Sequence, residues 1–464
     1  MKKLETSRRI LLLILSMLSL VSQVVVYALF WFHSYKEEIA ITFWIKGDLL
    51  VISIYAVLLF FFSKMYGGMK IGYLKAWEVF FSQAFSTTCV NIITYAMISL
   101  MSAKLVSLRG FLVLMAVDLV WIALWTAISQ GLYLMLFPPR DMLLVYGERS
   151  PDDIMRKFES RPDKYHICKS MNIEEGYDAI CEEVQNRYDA MVLWDLPTVT
   201  RNRLLKYCFA QSIRVYLMPK IPDVLIKGTT EMHIFDSPIY LIREYALNIE
   251  QRFTKRCMDI FCSSILLIII SPVLLITAIL IKLYDGGPVL YKQIRCTLNG
   301  REFKILKFRS MKVDAEKDGV ARLAKKKDDR ITPIGKFIRA VRIDELPQLI
   351  NILKGEMSFV GPRPERPEII RQYLEDMPEF EYRLKVKAGL TGYAQIYGKY
   401  NTTPYDKLKL DLTYIENYTI WLDLKLLLLT LKTVLKPEST EGVEKSQTTA
   451  LKKVSSGQNN EGQA

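Results

Sequence analysis

The sequence predicts an integral membrane protein in three parts. These are an N-terminal bundle of four transmembrane helices, a small α/β domain, and a C-terminal, mainly α domain with its own re-entrant membrane helix. Three observations point there. Apolar residues gather in runs of about 20, the length that crosses a hydrocarbon core. After the fourth run, short buried-strand patterns alternate with helical ones. A further apolar run, broken by proline and basic on both flanks, then precedes a long charged stretch.

The first four runs cover roughly Ile10 to Phe32, Trp44 to Phe62, Val79 to Met101 and Phe111 to Phe137, so residues 1–137 are the expected bundle. The third is the weakest, because Ser82, Gln83, Ser86, Thr87, Thr88 and Asn91 interrupt it. Lys2, Lys3, Arg8 and Arg9 precede the first run, and Lys64, Lys70 and Lys75 lie between the second and third. The other loops are poorer in cations, so both termini are expected in the cytoplasm. The first run is too long for a removable signal peptide and lacks a small-residue cleavage site. Residues 138–249 are expected to form a cytoplasmic α/β domain, opened by Pro138-Pro139-Arg140, with strands at Met142 to Tyr146, Ala190 to Trp194 and Arg214 to Met218. Only Gly147 follows the first strand, so the Gly-x-Gly-x-x-Gly phosphate cradle is missing and a spacer or regulatory role is expected.

The fifth run, Ile260 to Ile281, follows Arg252, Lys255 and Arg256 and precedes Lys282, Lys292 and Arg295, so both flanks favour the cytoplasm. Ser271-Pro272 sits in its middle. A proline deletes one helix hydrogen bond and bends the axis, and a neighbouring hydroxyl helps satisfy the freed carbonyl. A re-entrant helix over 257–284 satisfies both flanks; an ordinary fifth span is the alternative. Within 250–436, helices are expected at Ile334 to Val341, Glu345 to Leu353, Pro367 to Met377 and Thr403 to Asn417, with Trp421 to Lys436 suited to the membrane interface. Residues 437–464 are polar and aperiodic, the pattern of a disordered tail.

A formal charge of +13 suits nucleic acid or an anionic leaflet, and the apolar runs decide for membrane lipid; no nucleic-acid partner is expected. Seven cysteines include no Cys-x-x-Cys pair, so spacing suggests neither a zinc site nor a disulfide framework. The three histidines, His33, His166 and His233, all precede residue 234, which leaves the C-terminal region without a histidine triad or histidine metal site. Carboxylates must act there.

Asp344 and Glu345 stand just ahead of Pro347 and an apolar helical run. Arg339 and Arg342 precede them, and Arg363 is held between Pro362 and Pro364. Guanidinium groups match phosphate oxygens two at a time, so this set forms a candidate diphosphate clamp. A carboxylate beside arginines stays ionised, as a nucleophile must, and its neighbour suits Mg²⁺ bound through carboxylates and substrate phosphates. The plain alternatives are that Asp344 only caps a helix and that the arginines form a solvated face near anionic lipid. Lys304, Lys307 and Arg309 alternate with apolar residues and line a phosphate site or touch headgroups. For Tyr393, Tyr397 and Tyr400, packing is the first expectation.

At these residues the chain resembles the bacterial sugar transferases that prime polysaccharide assembly, the monotopic polyprenyl-phosphate phosphoglycosyl transferases. The resemblance covers about residues 250–436. It rests on Lys307-Phe-Arg-Ser-Met311, Asp329-Arg-Ile-Thr332, Arg339, Asp344-Glu-Leu-Pro-Gln348, Asn351-Ile-Leu-Lys-Gly355, Met357-Ser358, Gly361-Pro-Arg-Pro-Glu365, Leu390-Thr-Gly392 and Asp411 through Asn417. The first 250 residues look like the larger members, which carry four spans and a degenerate Rossmann-like domain. The resemblance implies that Asp344 attacks the β-phosphate of a UDP-sugar and releases UMP, and that polyprenyl (undecaprenyl) phosphate then takes the phosphosugar. It implies that Glu345 supports Mg²⁺ or proton handling, Arg363 with its flanking prolines contacts the nucleotide sugar, Arg339 binds phosphate, and Ser271-Pro272 is the re-entrant kink. The expected setting is the bacterial cytoplasmic (inner) membrane, with the active site facing the cytoplasm. The expected role is priming exopolysaccharide or capsule synthesis, alongside downstream glycosyltransferases and in a form compatible with a homodimer. A hexose such as glucose or galactose leads an N-acetylated sugar. Where relatives often carry Pro-Gly and Asn-Gly-Arg, this chain has Ala388-Gly389 and Tyr397-Gly398-Lys399, and lysine at 399 is a point charge rather than a planar fork. A non-catalytic membrane scaffold is the rival from another class. A transferase built on an Asp-x-Asp metal motif is the other rival, and no such motif follows a strand here.

Overall fold

The computed structural model describes residues 2–39, 44–242, 246–312, 330–398 and 402–434. Asp329, Lys399, Tyr400 and the 437–464 tail, all singled out above, lie outside the described residues. The chain divides into two compact units between Met218 and Pro219. Five helices are long and apolar enough to cross a membrane.

In the first unit, α1 (Lys2–Phe30) continues through a π-helical turn (Trp31–Tyr35) into α2 (Lys36–Glu38) and is followed by α3 (Ile45–Tyr66), α4 (Ala76–Met101) and α5 (Leu108–Leu136). The polar residues that weaken the third run mostly face inward on α4. Ser82, Gln83, Ser86, Thr87 and Asn91 are all buried. Thr87 donates to Gln23 Oε1 at 2.8 Å, Gln83 to the Gly68 carbonyl at 2.9 Å, and Asn91 to Asp118 Oδ2 at 2.7 Å. Without water, each such group needs a protein partner, so the interruption is a helix–helix contact and not a loop signal.

The unit continues as β1 (Arg140–Tyr146), α6 (Asp152–Glu159), β2 (Tyr165–Asn172), α7 (Tyr177–Arg187), β3 (Ala190–Trp194), α8 (Thr198–Ala210) and β4 (Arg214–Leu217). The strands form a parallel sheet in the order β2-β1-β3-β4. Both faces of β1 are buried: Met142 and Leu144 pack with Ile154 and Val192, Leu143 and Val145 with Ile180 and Leu204. Sequence reading expected helix between the first two buried strands and missed β2. As an edge strand β2 is polar along much of its length and shows no apolar run.

The second unit opens with α9 (Ile221–Lys227), placed by sequence reading in the α/β domain; Ile221 and Val224 join the C-terminal core instead. Then come the hairpin β5 (Thr230–Ile234) and β6 (Ser237–Leu241), α10 (Ile249–Asp285), and the hairpin β7 (Leu290–Cys296) and β8 (Glu302–Phe308). α11 (Pro333–Ala340), a 3-10 turn at Ile343–Glu345, α12 (Gln348–Lys354), β9 (Ser358–Val360) and α13 (Pro367–Asp376) follow. A 3-10 run at Pro378–Lys385 leads to β10 (Gly389–Thr391), parallel to β9, then α14 (Tyr393–Tyr397), α15 (Pro404–Glu416) and α16 (Ile420–Val434). Leu349 and Ile352 of α12 are buried among Phe359, Leu408, Leu412 and Leu426, which places α12 at the centre of this core.

α10 runs as one helix with Pro272 inside it. Ser271 Oγ donates to the Ile268 carbonyl at 2.8 Å, the acceptor four residues before the proline that Pro272 itself has no N–H to reach. Ile268, Ile269, Leu275 and Leu283 are exposed along it, an apolar surface that lipid would cover.

Candidate active site

Three elements, α11, β8 and α12, and two turns build the site. α11 ends at Ala340, and two residues on Arg342 has a φ of 59°, a left-handed conformation seldom adopted by residues with a side chain. That reversal sends the chain into the 3-10 turn carrying Asp344 and Glu345. β8 brings Lys307 alongside: its Nζ donates to Glu345 Oε1 at 2.9 Å. Asn351 of α12 fixes this approach, because its side chain takes Leu306 N–H at 3.0 Å and donates to the Lys304 carbonyl at 2.9 Å.

Arg363 arrives from the turn after β9, with Nη2 donating to Glu345 Oε1 at 3.2 Å. The turn is set by glycines packed backbone to backbone. A Cβ on Gly389 would lie 2.1 Å from the Gly361 nitrogen, and one on Gly392 2.1 Å from the Gly361 carbonyl oxygen. Behind it, buried Arg383 donates to the Arg363 carbonyl at 3.0 Å and, from Nε, to Asp411 Oδ2 at 3.1 Å, and Lys407 pairs with Glu365 at 2.6 Å. Arg295 Nη1 donates to the Pro364 carbonyl at 3.1 Å. Pro362 and Pro364 thus frame an arginine whose backbone is clamped on both sides.

The two neighbouring carboxylates end in different states. Burial alone would raise Glu345, but Lys307, Arg363 and Arg342 hold it well below the usual carboxylate range. Burial and the charge of Glu345 push Asp344 up instead, with Lys307, Arg339 and Arg342 pulling back only in part. Among the described residues, none donates a hydrogen bond to the Asp344 carboxylate. The alternative that Asp344 merely caps a helix has no support in the geometry: Asp344 lies inside the 3-10 turn, and α12 is preceded by Pro347 with no side-chain cap.

Of the other residues singled out, Arg342 Nη1 is 3.9 Å from Glu345 Oε2, and Arg339 on α11 acts on Asp344 through its charge. Arg309 pairs with Asp285 at the end of α10 and not with the acidic pair. Ser271 and Pro272 remain on α10, and Lys399 is outside the described residues. Sequence reasoning missed Gln395, whose Oε1 accepts from Arg363 at 3.5 Å while its buried Nε2 has no hydrogen-bond partner among the described residues. It also missed the Arg383–Glu365–Lys407 cluster, whose partners are 18 to 42 residues apart in the chain and so leave no local pattern.

A cluster of this kind can cradle a diphosphate on cations and present one unengaged carboxylate oxygen to phosphorus. Residues 250–437 match the family model described as bacterial sugar transferase. The UDP-N-acetylgalactosamine-undecaprenyl-phosphate N-acetylgalactosaminephosphotransferase of Aeromonas hydrophila is 36% identical over 306 residues, covering 62% of this chain and 68% of that protein. The UDP-glucose:undecaprenyl-phosphate glucose-1-phosphate transferase of Escherichia coli K12 is 36% identical over 258 residues, 54% of this chain and 55% of that one. The Caulobacter vibrioides protein described in the same words is 38% identical over 190 residues, 40% of this chain and 71% of that one.

Proposed function

The chain belongs to the bacterial sugar transferase family, and we propose that it is an undecaprenyl-phosphate sugar phosphotransferase working through a covalent Asp344 intermediate. A carboxylate oxygen of Asp344 attacks the β-phosphorus of a UDP-sugar, the bond to the α-phosphate oxygen breaks, and UMP leaves. An oxygen of undecaprenyl phosphate then attacks the same phosphorus, restoring the carboxylate and yielding a polyprenyl-diphosphate-linked sugar. The observation that carries this reading is the contrast within the pair: Glu345 is pinned by Lys307 and Arg363, whereas Asp344 accepts no hydrogen bond among the described residues. Glu345 holds the cations in place, and Arg363, Arg339 and Arg342 neutralise the diphosphate.

Mg²⁺ fits the remaining donors, the Asp344 carboxylate and Glu345 Oε2, which accept no hydrogen bond among the described residues. When bound it would supply further neutralisation of phosphate charge. A re-entrant path for α10 is supported by its fastening at both ends to one unit. Lys255 donates to Asp423 at 2.5 Å and Arg256 to the Ile352 and Leu353 carbonyls at 2.7 Å, while Ile281 packs on Phe308 and Ile338, and Asp285 pairs with Arg309. We place the catalytic face in the cytoplasm and the parallel sheet as a degenerate Rossmann-like domain beneath a four-helix bundle. The scaffold alternative loses its main support, since Asp344 caps nothing.

The deciding measurement is intact mass of the protein incubated with UDP-glucose, UDP-galactose or UDP-N-acetylgalactosamine and no acceptor. A gain of one sugar phosphate, mapped to Asp344, is expected with at least one donor and identifies the sugar; no gain with any donor, alongside normal turnover, overturns the mechanism.

A further inference from the structure

Away from the acidic pair, the first unit gathers a second group of reactive side chains. Asp141 on β1 lies opposite His166 on β2. Its Oδ1 is 2.8 Å from His166 Nδ1 and 3.3 Å from Cys168 Sγ, and Sγ is 3.3 Å from Nδ1. The strand register slips between Met142 and Leu143, whose partners are Ile167 and Lys169, so Cys168 is the extra residue of a bulge. Bulges re-aim side chains, and this one turns the thiol toward its two neighbours. All three residues are exposed.

An exposed Asp–His pair alone contributes little, and a thiol adds little more to it. The three together are a carboxylate, an imidazole and a sulfur converging on one point. Zinc–ligand bonds near 2.3 Å to sulfur and about 2.0–2.2 Å to nitrogen or oxygen, arranged tetrahedrally, set donor–donor separations of roughly 3.3–3.6 Å. The observed triangle reaches that by opening a few tenths of an ångström, well within side-chain freedom at the surface.

We propose that Asp141 Oδ1, His166 Nδ1 and Cys168 Sγ form a zinc site that clips the edge strand β2 to β1, with water at the fourth position. Binding releases the thiol proton of Cys168, and any proton on His166 Nδ1, to solvent; no electron is transferred. The ring keeps its N–H at Nε2. Cysteine spacing gave no hint of this site, because the ligands combine a His-x-Cys pair with an aspartate from the neighbouring strand.

The test uses the full chain in nanodiscs, stripped with chelator and then titrated with Zn²⁺ or Co²⁺. One equivalent of zinc should be retained per chain, and cobalt should give a thiolate-to-metal charge-transfer band. Cys168→Ser should abolish that band, His166→Gln should weaken zinc binding by more than about 100-fold, beyond the effect of losing an outer-shell partner, and Cys257→Ser should leave both intact. UMP release should not change in any of the three. In the wild-type protein, bound zinc should also protect Cys168 from alkylation, a readout that needs no variant. The proposal is overturned by equal zinc retention in wild type and Cys168→Ser, by absence of the cobalt band, or by an alkylation rate indifferent to zinc.

Discussion

Asp344 and Glu345 share a turn yet differ in chemistry because their neighbours differ. Three cations converge on Glu345, and burial dominates at Asp344. Asp344→Asn keeps shape and removes the nucleophilic charge, so UMP release should fall to background, and Asp344→Ala should match it. Arg363→Lys replaces a fork with a point charge; kcat/KM should drop about 10- to 100-fold, against the 10²–10³ lost with a whole charge-stabilising donor. The pH behaviour follows from sign. Asp344 must be ionised to attack, and its folded pKa lies above the usual 3.8. Its turnover should therefore fail on acidification earlier than an ordinary carboxylate would dictate, in a kcat/KM profile. Glu345 has the opposite shift: depressed in the folded state, it contributes stability that is fully present above its unfolded pKa of 4.5 and is lost as pH falls below it toward the folded value. Glu345→Gln should thus lower stability by about 3 kcal/mol at neutral pH, and the gap in Tm between variant and wild type should narrow as pH falls below about 4.5.

Among elements, the parallel pair β9 and β10 decides where Arg363 sits. Gly361, Gly389 and Gly392 approach so closely that any side chain at 389 collides with backbone, which cannot yield as a flexible side chain would. Gly389→Ala should destabilise the second unit by about 1–3 kcal/mol, the range for overpacking, and reduce turnover further than that loss of folded protein explains. Calorimetry paired with activity per folded molecule checks this. The other supporting element is α12. Its C-terminal carbonyls are taken by Arg256 of α10, and its Asn351 is bonded to β8, so one short helix connects the long apolar helix α10 to Lys307. The distance from α10 to the acidic pair is thereby fixed by packing and not by a loop.

On the scale of the whole molecule, five apolar helices anchor the chain, and the fifth is held at both ends by the unit that carries the acidic pair. Cysteines placed at Glu250 and Tyr284 in a background lacking the native ones should react with an impermeant maleimide from the same face of sealed vesicles. Labelling from opposite faces would make α10 an ordinary span. Under the proposed mechanism, both ends on one face would let a soluble nucleotide and a lipid phosphate reach the same carboxylate.

The sequence by itself determined the membrane runs, the strands β1, β3 and β4 and the helices α11, α12, α13, α15 and α16, and it singled out the acidic pair with its arginines. Each of these is local: hydropathy, periodicity and neighbouring residues suffice to read it. Tertiary structure alone decided what depends on distant partners. It turned the polar residues of α4 inward, made a strand of residues 165–172, gave α9 to the C-terminal core, and paired Arg309 with Asp285 and not with Glu345. It also separated the two carboxylates, since nothing in Asp-Glu as a dipeptide says which one Lys307 and Arg363 will reach. Charge and burial act through space, and only the folded chain fixes those distances.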